Sequence, residues 1–530
     1  MKREWFFIIV VTICVVILSL HETWLFSRYT PQGAVYPLVH GYIPDYYYYL
    51  SLMEQGSEGK LLLTTRYTSE HFQPVVMQSL YAAIGFIAGI FHIPFPLMYL
   101  GARIFFGSLL LLSGYYLATV LCKNQHERVL AFLLMIAGVP LWFISDGVIG
   151  TYGNFWRGLD PLGRASALPH HLAANVLLIF TVVAASKALK SHRIRWIALT
   201  SLFGFLTGWT NPASLFAFLW AIGWVGLVRI KKAKTYWPAL IAITAVSVIP
   251  LVYFSLYQTM VYPLTEFKRI ESLWQHPLDS MTYLKIMSIS GFFALVAIPS
   301  VLKKNSVLWD LIVGWFLWPI IALGIVQYFV PMTNARYIQA AYYIPTSLLA
   351  AVGIMNVYRW LNTLPAANSK LIAVCMVSIF AIASLPSFYA NIKLDEQNVA
   401  IDSHRPAIYA SKELMEGIIW LNTFGGPDEL VIAPDWISLI TPAFSNKRVL
   451  LGHPTLTYLS DQKQHDMDVL YAFKDEIEVA RVIQTHRVSL IWTDETLRVP
   501  NEFAGYRFTP VYTNSLVTYY QVTPTGIAVQ

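Results

Sequence analysis

Eleven apolar runs that are each long enough to cross a lipid bilayer divide this chain, and they restrict its possible folds more than any other feature. A helix of about 20 apolar residues spans the hydrocarbon core of a membrane. The runs lie at 1–20, 99–121, 129–146, 171–187, 196–210, 212–228, 236–257, 285–302, 306–330, 337–357 and 371–389. With 56% hydrophobic and only 13% charged residues, the 530-residue chain has too few charges to solvate a soluble globule. The sequence therefore predicts a polytopic α-helical membrane protein.

The first run, MKREWFFIIVVTICVVILSL, has the charged start and apolar stretch of a signal peptide, but it has no small-residue cleavage site. We interpret it as an uncleaved first span. One more apolar run, 75–91, is long enough either to span the membrane or to lie flat at its surface. If it lies flat, the basic loops all fall on the side of Lys2 and Arg3, as the positive-inside rule requires. These loops contain Lys123, Arg128, Lys187, Lys190, Arg193, Arg195, Arg229, Lys231, Lys232, Lys234, Lys303, Lys304, Arg359 and Lys370.

This topology fixes the expected orientation of the chain. The N-terminus is cytoplasmic, and everything after about residue 390 is extracytoplasmic. The first outer loop, 26–97, is long and carries two interfacial helices, one starting at Asp45 and one after Pro74. The protein is expected to be integral to the cytoplasmic membrane. Its net charge of +7 is explained by lysines and arginines that anchor cytoplasmic loops, so no nucleic-acid partner is expected.

The pattern changes after residue 390, where short β-rich runs alternate with polar helical stretches. ELVIA at 429–433, RVLLG at 448–452 and VSLIWTD at 488–494 predict strands, and VYTNSLVTYYQV at 511–522 predicts further strands near the end. SDQKQHDMDVLYAF and DEIEVARVIQTHR predict helices. We therefore expect a transmembrane domain at 1–389 and an extracytoplasmic α/β domain at 390–530. No glycine-rich nucleotide-binding motif and no CxxC metal site is present.

The stretch PDYYYYL, 44–50, places one carboxylate before four consecutive tyrosines in the first outer loop. Asp45 is either the cap of an interfacial helix or a catalytic base at the edge of a pocket. The tyrosines are interpreted as belt and packing residues. Most of the unusual polar residues fall in the outer loops, and few ionisable residues lie in the middle of the spans, where an ion-coupled transporter would keep them. The sequence thus indicates a site at the outer interface of the membrane.

The long first outer loop with its early acidic residue resembles the GT-C superfamily of membrane glycosyltransferases, which includes protein O-mannosyltransferases and the bacterial aminoarabinose transferase. The resemblance continues in SEHFQPVVMQSLYAAIGFIAGIFHIP, which leads into an interfacial helix, and in the arginine of LGARIFFGSLLLL, which is Arg103. KRVLLGHPTLTYLSDQKQ resembles a segment of uncharacterised bacterial members. This chain has Pro44 and Asp45 where many members have an acidic pair.

The resemblance implies an enzyme that transfers a sugar from a polyprenyl-phosphate donor to a lipid, glycan or protein acceptor at the outer face of the membrane, with inversion. Such a reaction needs a base for the acceptor proton and fixed cations for the phosphate that leaves. Asp45 is the candidate base. The candidates for binding donor phosphate or substrate are Arg103, Arg164, Arg336, Glu70, His71 and His453.

Other readings of the sequence stay open at this point. No cofactor is expected, although a divalent cation could bridge Asp45 and other outer-loop carboxylates. His170 and His171 make a weaker metal site, because adjacent side chains on a helix diverge by about 100°. The alternatives from another class are a lipid or polysaccharide transporter, or a non-catalytic partner in the assembly of envelope glycans.

The predicted orientation can be tested with reporter fusions. A reporter fused after Lys304 is expected to be cytoplasmic, and one fused after Gln530 is expected to be extracytoplasmic, because the positive-inside rule places the two positions on opposite sides. Protease protection and reporter activity in intact cells measure both. An external reporter after Lys304, or an internal one after Gln530, would contradict the topology.

Overall fold

The computed structural model describes residues 2–153, 156–230, 233–262, 264–330, 332–364, 368–402 and 405–526. Lys231 and Lys232, two of the predicted cytoplasmic residues, lie outside these ranges. The chain forms two compact units. The first contains 1–21, 102–256 and 271–397, and the second contains 22–101, 257–270 and 398–530. The predicted domains 1–389 and 390–530 divide the chain by its position relative to the membrane, not by compactness. This division stays a prediction.

The helices follow the apolar runs and the polar helical stretches of the sequence. They are α1 Lys2–Ser19, α2 His21–Arg28, α3 Ile43–Ser57, α4 Ser79–Phe91, α5 Phe95–Leu121, α6 Gln125–Ala137, α7 Pro161–Ala165, α8 Pro169–Ser191, α9 Ile194–Thr210, α10 Pro212–Val228, α11 Ala233–Ser247, α12 Ile249–Met260, α13 Leu264–Leu273, α14 Ser280–Leu302, α15 Val307–Gly324, α16 Tyr343–Leu361, α17 Ser369–Asp402, α18 Lys412–Trp420, α19 Asp435–Phe444, α20 Ser460–Ala472 and α21 Glu476–His486.

The strands are short and most of them lie near the end of the chain. They are β1 Ala34–Val35, β2 Trp142–Ser145, β3 Val148–Thr151, β4 Ala410–Ser411, β5 Leu430–Ile432, β6 Arg448–Val449, β7 Val488–Thr493, β8 Glu502–Phe503, β9 Tyr506–Thr513 and β10 Thr518–Pro524.

Seven helical stretches in the described part of the chain are long and apolar enough to cross a membrane. They are Lys2–Arg28, Phe95–Leu121, Pro169–Ser191, Thr235–Met260, Ser280–Leu302, Val307–Tyr328 and Ser369–Asp402. Each coincides with one of the eleven predicted runs, and the other four runs form the shorter helices α6, α9, α10 and α16. The chain is therefore an integral membrane protein.

The predicted span at 129–146 is wrong in its second half. Helix α6 ends at Ala137, and β2 pairs with β3 in an antiparallel hairpin. Pro140 explains the early end, because proline has no backbone N–H for the helical ladder and it disfavours the helical conformation of the residue before it.

Helix α8 forms the centre of the first unit and is buried along most of its length. Alanines at 173, 174, 184 and 185 are among its buried residues, and small side chains let neighbouring helices approach closely. Asn211 forms the turn between α9 and α10, and its side chain accepts a hydrogen bond from the Ala213 N–H at 3.1 Å.

The second unit contains a six-stranded mixed sheet in the order β6-β5-β7-β10-β9-β8. Strand β5 is parallel to β6 and to β7, whereas β7, β10, β9 and β8 pair antiparallel. Parallel strands need crossover connections, and α19, α20 and α21 lie in the connections between β5, β6 and β7. The predicted C-terminal α/β arrangement is confirmed.

Both predicted helices of the first outer loop are present, with shifted starts. Helix α3 begins at Ile43, two residues before Asp45. Helix α4 begins only at Ser79, because Gln78 has a left-handed conformation and Val75 forms a β-bridge with Leu63. The helix predicted after Pro74 therefore begins four residues later than the apolar run 75–91.

Glycines bring the backbones of α3 and α4 into contact. A Cβ at Gly85 would lie 1.9 Å from the Met53 carbonyl oxygen, and a Cβ at Gly56 would lie 2.2 Å from that of Ala82. These two positions hold the helix that carries Asp45.

We expect Gly85→Ala to lower the stability of the second unit by about 2 kcal/mol, because the added methyl group forces the two helices apart. The measurement is the thermal unfolding midpoint in detergent. Gly101→Ala is the control, since a Cβ there meets nothing within 4 Å, and its midpoint should match or exceed that of the parent. Equal midpoints for Gly85→Ala and the parent would contradict the packing argument.

Candidate active site

Asp45 lies in the first turn of α3 and is not the cap of that helix. The N-cap residue is Tyr42, which makes no capping hydrogen bond with its side chain. A carboxylate in the first turn is stabilised by the helix dipole. The Asp45 side chain is 38% exposed, whereas the residues from Tyr46 to Met53 are all buried. Its carboxylate is therefore the accessible polar group at the start of an otherwise enclosed helix segment.

The four tyrosines after Asp45 are packing residues inside the second unit. The Tyr46 hydroxyl donates to the Pro37 carbonyl oxygen at 2.5 Å, and the Tyr49 ring stacks on Tyr81 with 4.2 Å between centroids. Burial raises the pKa of the Tyr48 phenol above its ordinary value, and the Asp45 charge adds to this effect. The tyrosines thus fix the position of α3.

His453 lies beside Asp45, although the two residues are far apart in sequence. Its Nε2 is 3.6 Å from Asp45 Oδ1, and the residue is only 3% exposed. The rings of Tyr48 and Tyr67 lie 5.8 and 5.6 Å from the imidazole, centroid to centroid. The Thr455 N–H donates to His453 Nδ1 at 3.2 Å. The structure therefore brings together the candidate base and one of the candidate binding residues.

Glu70 is held by groups from two segments of the second unit. Lys463 Nζ donates to its carboxylate at 2.5 Å, and the Thr68 hydroxyl donates to the same oxygen. Burial by itself would raise the pKa of Glu70, but these hydrogen bonds outweigh burial and lower the pKa. Burial also lowers the pKa of Lys463, and the Glu70 charge offsets only part of that effect.

His71 is exposed and accepts a hydrogen bond from Arg448. The distance from Arg448 Nη2 to His71 Nε2 is 2.8 Å, and a guanidinium can only donate. Partial burial lowers the pKa of His71, and the Arg448 charge lowers it further. Arg448 also donates to the Asp428 carbonyl oxygen at 2.7 Å and to that of Ser69.

Lys463 and Arg448 were missed by the sequence reasoning. Both lie in KRVLLGHPTLTYLSDQKQ, so the segment itself carried a signal, but nothing in its local pattern assigns a partner to either residue. The pairs are 393 and 377 residues apart, and only the packing of the chain defines them.

The three candidate arginines belong to the first unit, and two of them are buried among carbonyl groups. Arg103 Nε donates to the Ser166 carbonyl oxygen at 3.0 Å. Arg164 donates to the carbonyl oxygens of Met135 and Leu159, each at 3.1 Å, and its guanidinium lies 4.6 Å from the centre of the Tyr343 ring.

Arg336 differs from these two arginines because its side chain is 27% exposed. Its Nε donates to Glu271 at 2.6 Å, and its Nη1 donates to Gln339 Oε1 at 3.3 Å. The phosphate-binding role of all three arginines stays a prediction.

The side chains near Asp45 can be examined as possible ligands for a metal ion. Within the described ranges no group of three or more His, Cys, Asp or Glu side chains is arranged to bind one. His453 Nδ1 accepts a hydrogen bond, so Nε2 carries the hydrogen and has no lone pair for a metal. His170 and His171 pack ring to ring at 4.2 Å, and His171 stacks on Trp156.

Comparison with known proteins gives matches in structure alone. No family model matches the sequence, and no curated protein matches it. The apo crystal structure of the oligosaccharyltransferase from Archaeoglobus fulgidus matches with a TM-score of 0.51 and 14% identity, over 98% of this chain and 75% of that one. The cryo-EM structure of the arabinofuranosyltransferase AftD from Mycobacteria matches with a TM-score of 0.50 and 14% identity, over 98% of this chain and 40% of that one. This chain has the GT-C fold.

A third GT-C structure, ArnT from Cupriavidus metallidurans in the apo state, matches with a TM-score of 0.49 and 10% identity, over 98% of both chains. The GT-C fold predicted from the resemblance of PDYYYYL and its neighbouring motifs is confirmed by the first two structures. At these identities the matches establish the fold, and the chemistry has to be argued from the residues of this chain.

We expect Lys463→Met to lower the stability of the second unit by about 2 kcal/mol, because it leaves the half-buried Glu70 carboxylate without its cation. The pKa of Glu70 is lowered in the fold, so its ionisation stabilises the fold above the ordinary carboxyl range. That contribution is lost as the pH falls through the lowered pKa. In Lys463→Met the loss should begin at a higher pH.

The measurement is the thermal midpoint in detergent between pH 3 and pH 7. Lys474→Met is the matched control, because Lys474 is exposed and belongs to the same region. Identical pH profiles for Lys463→Met and Lys474→Met would show that the Lys463–Glu70 pair contributes nothing measurable.

Proposed function

We propose that this chain is a glycosyltransferase that moves a sugar from a polyprenyl-phosphate donor to a lipid, glycan or protein acceptor at the outer face of the cytoplasmic membrane. The GT-C fold, which it shares with an oligosaccharyltransferase and an arabinofuranosyltransferase, supports the reaction class. The seven helical stretches of the described chain that are long and apolar enough to cross a membrane support a substrate that is held in the membrane. The N-terminus is cytoplasmic and the C-terminal region is extracytoplasmic in this proposal.

The observation that carries the proposal is the position of Asp45. Its carboxylate is 38% exposed at the start of a helix whose next eight residues are buried, so it is held in place and yet accessible. A general base needs both properties, because it must reach the acceptor hydroxyl in a fixed geometry.

The reaction is a single displacement at the anomeric carbon of the donor. Asp45 takes the proton of the acceptor, the acceptor oxygen attacks the anomeric carbon, and polyprenyl phosphate leaves with the electrons of the broken C–O bond. One displacement inverts the configuration of the sugar. The developing phosphate charge requires a fixed cation.

Of the three arginines predicted to bind donor phosphate, we retain Arg336 in that role. Its side chain is partly exposed, whereas Arg103 and Arg164 are 1% and 3% exposed and donate to backbone carbonyl groups. We assign Arg103 and Arg164 to the support of the loops around them. In the second unit, the exposed His71 offers a polar group to a substrate, and the buried Arg448 holds its ring by donating to Nε2. Glu70 orients Lys463 beside them.

The test is transfer of radiolabelled sugar from a panel of polyprenyl-phosphate donors in a membrane extract. We expect Asp45→Asn to lower the transfer rate by about 100-fold or more, because the near-isosteric amide cannot accept the proton. Asp461→Asn is the matched control at an exposed aspartate of α20, and it should transfer at the parental rate. The product sugar should have the inverted anomeric configuration.

Two outcomes would contradict the proposal in different ways. Equal rates for the parent and Asp45→Asn would exclude Asp45 as the base while leaving the enzyme class intact. No transfer by the parent from any donor would exclude the transferase, and a transporter or a non-catalytic assembly partner would then take its place.

A further inference from the structure

We propose that His453 is a positioning residue, which holds the Asp45 carboxylate in the orientation that a general base requires. This inference rests on the proposed transferase function. It assigns His453 a role through Asp45, instead of the direct substrate contact that the sequence suggested.

The tautomer of His453 follows from its hydrogen bonds. The Thr455 backbone N–H can only donate, and it donates to Nδ1 at 3.2 Å. Nδ1 therefore carries no hydrogen, and the neutral imidazole carries its hydrogen on Nε2. Nε2 is the atom that lies 3.6 Å from Asp45 Oδ1. The ring thus presents an N–H donor to the carboxylate.

The donor is buried, and the described part of the chain offers it no other partner. Nε2 makes no hydrogen bond within the described part of the chain, and a buried N–H without a partner is costly. The present distance exceeds that of a hydrogen bond, and a movement of about half an ångström would bring the atoms to the usual separation. Hydrogen bonds of catalytic groups are often long without substrate and shorten when it binds.

The surroundings of His453 hold the ring in place. The Thr457 hydroxyl donates to the Tyr67 carbonyl oxygen at 2.9 Å and accepts from the His453 N–H at 3.3 Å. The Thr457 N–H donates to the His453 carbonyl oxygen at 3.1 Å. With the rings of Tyr48 and Tyr67 on its sides, the imidazole has little freedom to turn.

The consequence concerns the two oxygens of the carboxylate. When this hydrogen bond forms, Nε2–H occupies Oδ1, and Oδ2 remains for the acceptor hydroxyl. In the reaction the acceptor O–H bond breaks, its proton moves to Oδ2, and the acceptor oxygen forms the new bond to the sugar as the C–O bond to phosphate breaks. His453 keeps its own proton throughout. A general base that relayed the proton through the ring would need a free Nε2 lone pair, which this tautomer lacks.

The first experiment measures kcat and KM for sugar transfer in His453→Leu and His453→Gln. Leucine removes the donor, and we expect kcat to fall about 10- to 100-fold with little change in KM, as for the loss of a hydrogen bond to a charged group. Glutamine can place an N–H near the position of Nε2, and it should restore most of kcat. His465→Leu is the control at an exposed histidine.

A double variant separates positioning from substrate binding. In the Asp45→Asn background, His453→Leu should cause no further loss, because His453 acts only through the carboxylate. A further loss in that background, a rise of KM with unchanged kcat, or a failure of glutamine to rescue would each overturn the inference. If the parent and Asp45→Asn differ but His453→Leu equals the parent, the inference alone fails. If the parent transfers no sugar, the proposed function and the inference fail together.

The second experiment does not need activity. In protein with ¹⁵N-labelled histidine, the His453 signals are assigned by their absence in His453→Leu. We expect a protonated Nε2 and an unprotonated Nδ1, and we expect the Nε2 signal to shift in Asp45→Asn but not in Asp461→Asn. A protonated Nδ1, or an Nε2 signal that does not shift in Asp45→Asn, would overturn the inference even if transfer is observed.

Discussion

The enclosure of helix α3 by the rest of the second unit is the constraint on which the candidate site depends. Eight consecutive residues, from Tyr46 to Met53, are buried. Because successive residues of a helix point about 100° apart, such a run means that protein covers every side of the helix. Glycine contacts between α3 and α4 bring the backbones together, and α19 covers another side. Asp45, in the first turn, is thereby held at a fixed place.

Charged side chains connect the separate segments of the second unit through ion pairs and hydrogen bonds. Arg66 is buried, and its guanidinium donates to the carboxylates of Glu54 and Asp428. Lys463 binds Glu70, and Arg448 binds His71. A buried charge without a partner is costly, so each of these pairs favours one arrangement of the first-loop segment against the C-terminal segment. The same contacts place polar groups near the residues that the sequence singled out in the first outer loop.

Local sequence patterns succeeded where a structural element is determined by its own residues. The length and hydropathy of the runs predicted the helices, since a membrane accepts only segments that satisfy their own backbone hydrogen bonds. They failed at Pro140, and the helix near Gln78 begins later than its apolar run, because at both places the run continues in composition but the backbone changes conformation. The hydrophobic character of a residue does not indicate a change of backbone conformation, whereas the proline at 140 could have indicated the end of the helix.

For the candidate site, too, some features followed from the sequence and others only from the tertiary structure. The sequence by itself determined the membrane class, the C-terminal α/β arrangement, the resemblance to the GT-C fold and the position of Asp45 at the start of a first-loop helix. Only the tertiary structure decided that His453 faces Asp45, that Lys463 holds Glu70, and that Arg103 and Arg164 are occupied by backbone carbonyl groups. The physical reason is that periodicity and composition act over a few turns of chain. Partners nearly 400 residues apart are selected by packing and by the cost of burying an unpaired polar group. A local stretch of sequence determines neither the packing nor the burial.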